Sequence, residues 1–396
     1  MKKIALNFAR IFVGVLFIFS GLIKANDPLG FGYKLQEYFD EFHNIFLKFI
    51  GSDAGGSFFL SEMATGIAIL LCVLEIVLGA LLLFGFWSKK VSGGLLAIII
   101  FFTFLTFVSA AFKVVTSCGC FGDAIPLTPW QSFSKDLVLL VLIIYIYINR
   151  NKILPLTHNP ALQKGGIVTV TLLSVLFGLY TYTFLPILDF LPYKIGANIP
   201  ELMKIPAGKT GDEYGIIYNL KNKQSGEKKR MTDKEYLKTE IWKDENWEIV
   251  GNPDQVLVKK GYEPKIKDLK ITDGSGTDYT KELIENPYYN LVIVAYNLDD
   301  TNDKAIAELN ALTLNAADQF NIRTVLLTSN SASDATLFSK RMKLLAEVFY
   351  ADAVPLKSMV RANPGVLLLK NGVIINKWHY NRVPAFDQLS ETYFSK

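Results

Sequence analysis

The chain has 396 residues, and 41 Lys and Arg against 37 Asp and Glu leave a formal net charge of +4. Hydrophobic residues make up 51% of it, and the long apolar runs all lie before Leu191. No basic stripe interleaved with aromatics reads as a nucleic-acid surface, and three cysteines are too few for a disulfide-built scaffold.

A bilayer core takes roughly 20 apolar residues in a helix. Five runs approach that length: Ile4 to Ala25, Ser61 to Trp87, Val91 to Phe112, Phe133 to Asn149 and Ile167 to Phe190. The fourth is short, and Lys135 and Asp136 are read as its interfacial edge. A secretory signal is the rival reading of the first run, but no small-residue cleavage site precedes Lys24-Ala25-Asn26-Asp27-Pro28, so a retained helix is expected.

Orientation follows from flanking cations. Lys2 and Lys3, Lys89 and Lys90, and the Arg150 to Lys164 stretch fall on one side if five spans alternate. That side is expected to be cytoplasmic. The expected protein is a multi-pass component of a bacterial inner membrane, with everything after Asp189 in the periplasm. Between the first two spans, Phe31, Leu35, Phe39, Phe42, Phe46 and Phe49 recur at helical spacing. Such a helix either lies flat in the interface or packs as a lid on the outer ends of the spans.

Two features of the apolar half carry chemistry. The first is Cys118-Gly119-Cys120, in the polar gap after the third span, on the expected outer side where thiols oxidise readily. A disulfide there closes a very small ring and is easily reduced, which suits a redox couple. A static disulfide or reduced turn, or half a metal site, are the alternatives. The metal reading is the weakest, because a closed zinc site needs about four ligands and His43, His158, His379 and Cys72 are scattered. The second is Glu75 inside the second run, an ionisable group at membrane depth and therefore a functional candidate. Its alternative is a protonated carboxyl tying two helices together. Cys72, three residues earlier, shares its helix face. Lys24, at the end of the first run, is read as snorkelling to water or pairing with Asp123 or Asp136.

The combination of FSGLIKA, LEIVLGALLLFGF, SCGCFGD and W-x-x-F-x-K-D-L-x-L-L resembles the DoxX/MauE group of membrane proteins over about residues 4 to 150. The resemblance implies a role in periplasmic disulfide handling beside thioredoxin-like partners. It maps directly to Cys118 and Cys120, and to Glu75 and Lys24 without fixed roles. The fifth span and the chain beyond it depart from the basic four-helix pattern.

After the fifth span, residues 191–206 read as a stiff connector. Tyr214 to Val258 reads as a small sheet with an exposed basic hairpin. Ile266 to Thr280 reads as a hairpin, Asn290 to Leu298 as a buried strand, Asp303 to Phe320 as a helix, and Ile322 to Ser329 as a second buried strand. Asp334 to Phe349 reads as a second helix, and Gly365 to Tyr380 as a hairpin on Asn371-Gly372. This order is similar to the thioredoxin superfamily, particularly its TlpA and peroxiredoxin-like branches, over about residues 262 to 396. Asn363-Pro364-Gly365 resembles the cis-proline loop. The family's Cys-x-x-Cys is absent: the matching segment, Ala295 to Ala305, contains no cysteine. Thiolate chemistry needs sulfur, so the resemblance leaves this part a binding role. Asp299, Asp300 and Asp303 are read as helix-start acids, and the loops around Tyr296, Asp299 and Pro364 are expected to hold an extended peptide or a partner protein.

The expected architecture is a multi-pass α-helical membrane bundle, with four DoxX-like helices in 1–150 and a cytoplasmic loop and fifth span in 151–191. A periplasmic connector and small β-rich segment in 192–261 and a thioredoxin-like α/β domain in 262–396 follow. Two functions compete. In one, Cys118 and Cys120 exchange disulfides with a periplasmic thiol protein, a membrane quinone is the candidate electron acceptor, and Glu75 handles a proton. In the other, the chain is a non-enzymatic scaffold or chaperone-like anchor for an envelope assembly. Small-solute transport is less attractive, because one buried carboxylate among short-looped spans offers little of a path.

Overall fold

The computed structural model describes residues 2–50, 59–112 and 121–395. Cys118 and Cys120 therefore lie outside the described residues. The first part is helical: α1 (Lys2–Asn26), α2 (Pro28–Ile50), α3 (Phe59–Glu62), α4 (Ala64–Phe84), α5 (Ser88–Phe112), α6 (Pro129–Ile148) and α7 (Pro160–Thr183). Of these, α1, α4, α5, α6 and α7 are long and apolar enough to cross a membrane.

Between apolar helices in lipid, close packing replaces the hydrophobic drive, so small residues mark the contacts. The antiparallel pair α1 and α4 meets in this way. A Cβ added at Gly79 would stand 2.8 Å from the Gly14 carbonyl oxygen, and one at Gly21 would stand 3.0 Å from the Glu75 Cβ. Two stretches that look unrelated in sequence, FSGLIKA and LEIVLGALLLFGF, are thus the two sides of one contact.

Helix α2 is a lid. Phe31, Leu35, Tyr38 and Phe39 are buried in the same core as Ala64, Ala68 and Cys72 of α4. Of the two expectations for this segment, packing against the spans is the one observed. Helix α6 begins at Pro129, four residues before the expected start at Phe133. Thr128 caps it, accepting from Gln131 N while Gln131 caps back, and Pro129 occupies the first turn. The earlier start moves Asp136 from an interfacial edge into the bundle, where it is 1% exposed.

Beyond α7 come α8 (Ile199–Met203), then β1 (Glu213–Asn222), β2 (Lys228–Thr232), α9 (Asp233–Thr239), β3 (Trp247–Ile249) and β4 (Asp254–Lys259). Strands β2, β3 and β4 all pair antiparallel with β1. Next are α10 (Thr280–Ile284), β5 (Tyr289–Val294), α11 (Asp303–Phe320), β6 (Arg323–Thr328), α12 (Ala332–Met342), β7 (Glu347–Tyr350), α13 (Ala353–Met359), β8 (Gly365–Lys370), β9 (Val373–His379) and α14 (Phe386–Leu389). They form a sheet in the order β7-β6-β5-β8-β9, with β5, β6 and β7 parallel and β8 and β9 antiparallel additions. The membrane-length helices are therefore followed by a C-terminal domain of mixed sheets.

Both faces of the five-stranded sheet are covered, which explains why β5 reads as a continuous apolar run. Alternate residues separate by face. Leu291 and Ile293 pack with Ile306, Leu309 and Phe338 of α11 and α12, while Val292 and Val294 pack with Leu283, Leu356 and Met359 of α10 and α13. Asn371 and Gly372 take φ values of 48° and 79°, the left-handed pair that a two-residue hairpin turn requires.

Four expectations need correction. Residues 334–349 are not one helix: α12 ends at Met342, Lys343 takes the left-handed cap at φ 48°, and the chain turns into β7. Residues 266–280 are not a regular hairpin, since Thr272 makes single bridges to Asp278 and to Tyr350. Of the three acids read as helix-starting, only Asp303 lies in α11, behind the Asn302 cap. Residues 191–206 are more than the expected stiff connector, for Tyr193 and Ile199 are buried in the core and Ile199 N–H bonds the Gly372 carbonyl.

At the end of β9, buried His379 accepts the Asn381 N–H on Nδ1 at 3.1 Å and lies tilted against the Tyr380 ring, centroids 4.2 Å apart. Burial pushes its pKa down to about 4. Below the ordinary histidine value of about 6.5, the unfolded chain binds a proton that the folded chain refuses. Stability is therefore lost as pH falls from there toward about 4. Thermal unfolding of the detergent-solubilised chain across this window will show that loss, and His379→Gln will flatten it; identical slopes for the two proteins would contradict the assignment.

Candidate functional site

The bundle holds two buried charges that hydropathy alone would forbid. Lys24 Nζ of α1 lies 2.5 Å from Glu75 Oε1 of α4, with side chains 3% and 2% exposed. Gly21, one turn before Lys24, lets α4 approach closely enough for this pair to form. The ammonium also sits over the Phe102 ring at 4.3 Å and the Phe31 ring at 5.1 Å, a cation–π cage that helps offset its lost hydration. Lys24 is buried rather than snorkelling, and its ion pair is with Glu75 rather than with Asp123 or Asp136. The correction has a simple cause: in an antiparallel α1–α4 pair Glu75 is the acid at its level.

A second pair lies close by on α6. Lys135 Nζ is 2.6 Å from Asp136 Oδ1, and Thr106 Oγ1 of α5 donates to Asp136 Oδ2 at 3.1 Å. Lys135 also lies 5.2 Å from the ring of Phe121, the residue after Cys120.

Above Lys24, a cavity of about 400 Å³ opens between the bundle and the C-terminal domain. Its walls include Asp27, Tyr33, Asp123, Asp189, Lys357 and Arg361. Arg361 fastens the roof. Its Nε donates to both Asp27 carboxylate oxygens at 3.0 and 2.8 Å, and its Nη2 donates to Asp123 Oδ2 at 3.2 Å. Asp27 also accepts the Gly30 N–H at 2.9 Å, which caps the start of α2. A Cβ at Gly30 would stand 2.8 Å from Arg361 Nη2, so glycine leaves the space in which this contact forms. Burial works to lower the Arg361 pKa, but Asp27 and Asp123 outweigh it and hold the guanidinium charged. Burial raises the Asp123 carboxyl, with Arg361 opposing it.

The expected site residues divide into three groups. Glu75 is brought into contact with Lys24. Tyr296, just after β5, shares a 2.8 Å hydrogen bond between hydroxyls with Tyr33 of α2. Pro364 is buried after a cis peptide bond to Asn363, whose Nδ2 donates to the Asn297 carbonyl at 2.6 Å. Asp299 is exposed, away from these contacts. Cys118 and Cys120 are outside the described residues; three residues further on, Asp123 meets Arg361. Sequence reasoning missed Asp27, Tyr33 and Arg361, and placed Asp136 at the interface rather than inside the bundle. The one available signal was an arginine beside the Asn363-Pro364 step.

Removing one member of a buried pair strands the other charge, at about 3–5 kcal/mol. Lys24→Met is therefore expected to lower the unfolding midpoint strongly, while Lys24→Met with Glu75→Leu recovers most of the loss. Unfolding in detergent with both variants checks this; a double variant as unstable as the single one would refute the pairing.

No curated protein matches the chain. Residues 2–149, the part that holds both buried pairs, match the family described as Methylamine utilisation protein MauE.

Proposed function

We propose that the membrane part is a redox-associated module of the DoxX/MauE type that handles thiols and disulfides through Cys118 and Cys120. The C-terminal domain, in this reading, is a thioredoxin-like binding module that has lost its own cysteines. The reading places Cys118 and Cys120 in the periplasm, facing a thiol protein that supplies or accepts the disulfide.

The observation that carries it is the Arg361 bridge. Arg361 stands three residues before Pro364 and binds Asp123, three residues after Cys120. The stretch that resembles a cis-proline loop is thus tied to the stretch that follows the cysteine pair. Supporting features are the β7-β6-β5-β8-β9 order and the cis Asn363–Pro364 bond. In members of that superfamily with cysteines, the cis-proline loop lies against the active site; here the same side of the domain meets Tyr33 and Asp27 of the chain's own membrane part.

The scaffold reading has one observation in its favour, the absence of cysteine after Cys120. Acid-quenching of living cells followed by alkylation with a mass-adding reagent separates the two. A mixed population of Cys118 and Cys120 that shifts with quinone supply, and shifts again in Arg361→Ala, is the expected result. A pair locked in one state in every condition, with a fully functional double serine variant, would remove the redox role.

A further inference from the structure

We infer that the bundle contains a proton path made of two buried acid–base pairs, Lys24 with Glu75 and Lys135 with Asp136, joined by a water and open to the cavity beneath the C-terminal domain. Both pairs line one small cavity of about 20 Å³, together with Ser20. A site needs about 10–15 Å³ and two to four polar partners to hold a water, and this one has both. Glu75 Oε2 is buried with no hydrogen-bond partner among the described residues. A buried carboxylate oxygen without a donor is costly, and a water in this cavity supplies one.

Access comes from the other side. Lys24 lines both the small cavity and the 400 Å³ cavity above it. A proton entering from the upper cavity meets Lys24, crosses the 2.5 Å contact to Glu75, and reaches Asp136 through the water. Among the described residues, the titratable groups that line the small cavity with Glu75 are Lys24 on α1 and Lys135 and Asp136 on α6; Cys72 of α4 and Tyr38 of α2 are buried in the surrounding core. Helices α2 and α5 bring the Phe31 and Phe102 rings over Lys24.

The use of such a path rests on the thiol–disulfide reading; its existence does not. Oxidation of two thiols by a membrane quinone forms one S–S bond, passes two electrons to the quinone, and moves two protons from sulfur to the quinone oxygens. A path between the upper cavity and the bundle interior serves those protons.

Infrared difference spectra of the full chain in nanodiscs, recorded on pH steps, test the path. Expected is a protonated-carboxyl stretch that titrates, shifts in heavy water, moves on isotope labelling of glutamate in the unsubstituted protein, and disappears in Glu75→Gln. Asp136→Asn should shift the same band through the bridging water. The absence of a titrating glutamate band, or a band indifferent to Asp136→Asn, would overturn the path, and the labelling arm gives that answer even if a variant fails to fold. Re-oxidation of Cys118 and Cys120 after a reductant pulse tests the use. Loss of a proton-transfer group slows such steps by roughly 10²-fold or more, so Glu75→Gln and Asp136→Asn should both be slow. Thiols that cycle at the unsubstituted rate in both variants would overturn the coupling; thiols that never change state would instead sink the redox reading and leave the infrared result standing.

Discussion

Everything in the membrane half is arranged around the fact that a lysine and a glutamate are buried against each other, 3% and 2% exposed, between helices with otherwise apolar faces. Lipid offers no water to hydrate them, so the bundle must supply every compensation itself. Gly21 brings the helices close, two phenylalanine rings cover the ammonium, and Lys135 with Asp136 makes a second compensated pair nearby. Replacing such pairs by apolar residues of similar size is often neutral or stabilising. Their presence therefore points to use rather than to stability.

The second organising contact joins the two halves. Arg361 comes from the C-terminal domain, its acids from the bundle, and its burial makes the joint specific. Asn26 adds a two-way hydrogen bond with the backbone of Leu188, and Lys377 of β9 sits 2.5 Å from Asp189 beyond α7. Burial lowers the Lys377 pKa, with Asp189 opposing it, so this contact too combines a desolvated cation with its counter-ion. The cavity floor and roof are held by charge pairs, while the bundle and the sheet keep their own apolar cores.

What the sequence disclosed follows from the range of the forces involved. The spans were legible because burial in lipid acts on whole runs, and the Asn371-Gly372 turn because both residues must take positive φ. Helix α6 was drawn short because Lys135 and Asp136 read as an edge, whereas they are charges paired inside the bundle. Strand β7 was hidden because Leu344 to Phe349 continues the spacing of α12, and only the left-handed Lys343 breaks it. Glu75 stood out as an anomaly, but its partner depended on the register of two helices 51 residues apart in sequence. For Arg361 the local pattern offers only its place beside the Asn363-Pro364 step and says nothing of its acids, which lie 334 and 238 positions away.

The joined arrangement also has a bearing on competition. Tyr296 and the Arg361 loop are already in contact with the end of α1 and the start of α2, segments of the same chain. The tether is the folded chain itself, so this contact forms within one molecule and competes at the effective concentration that the tether sets. A free protein seeking the same face must outbid a neighbour that never diffuses away, and its apparent affinity falls by the fraction of time the domain is lifted. On the proposed binding role, a partner at this face has to replace the contacts that Asp27 and Asp123 make with Arg361, so the joint sets access as much as the shape of the pocket does.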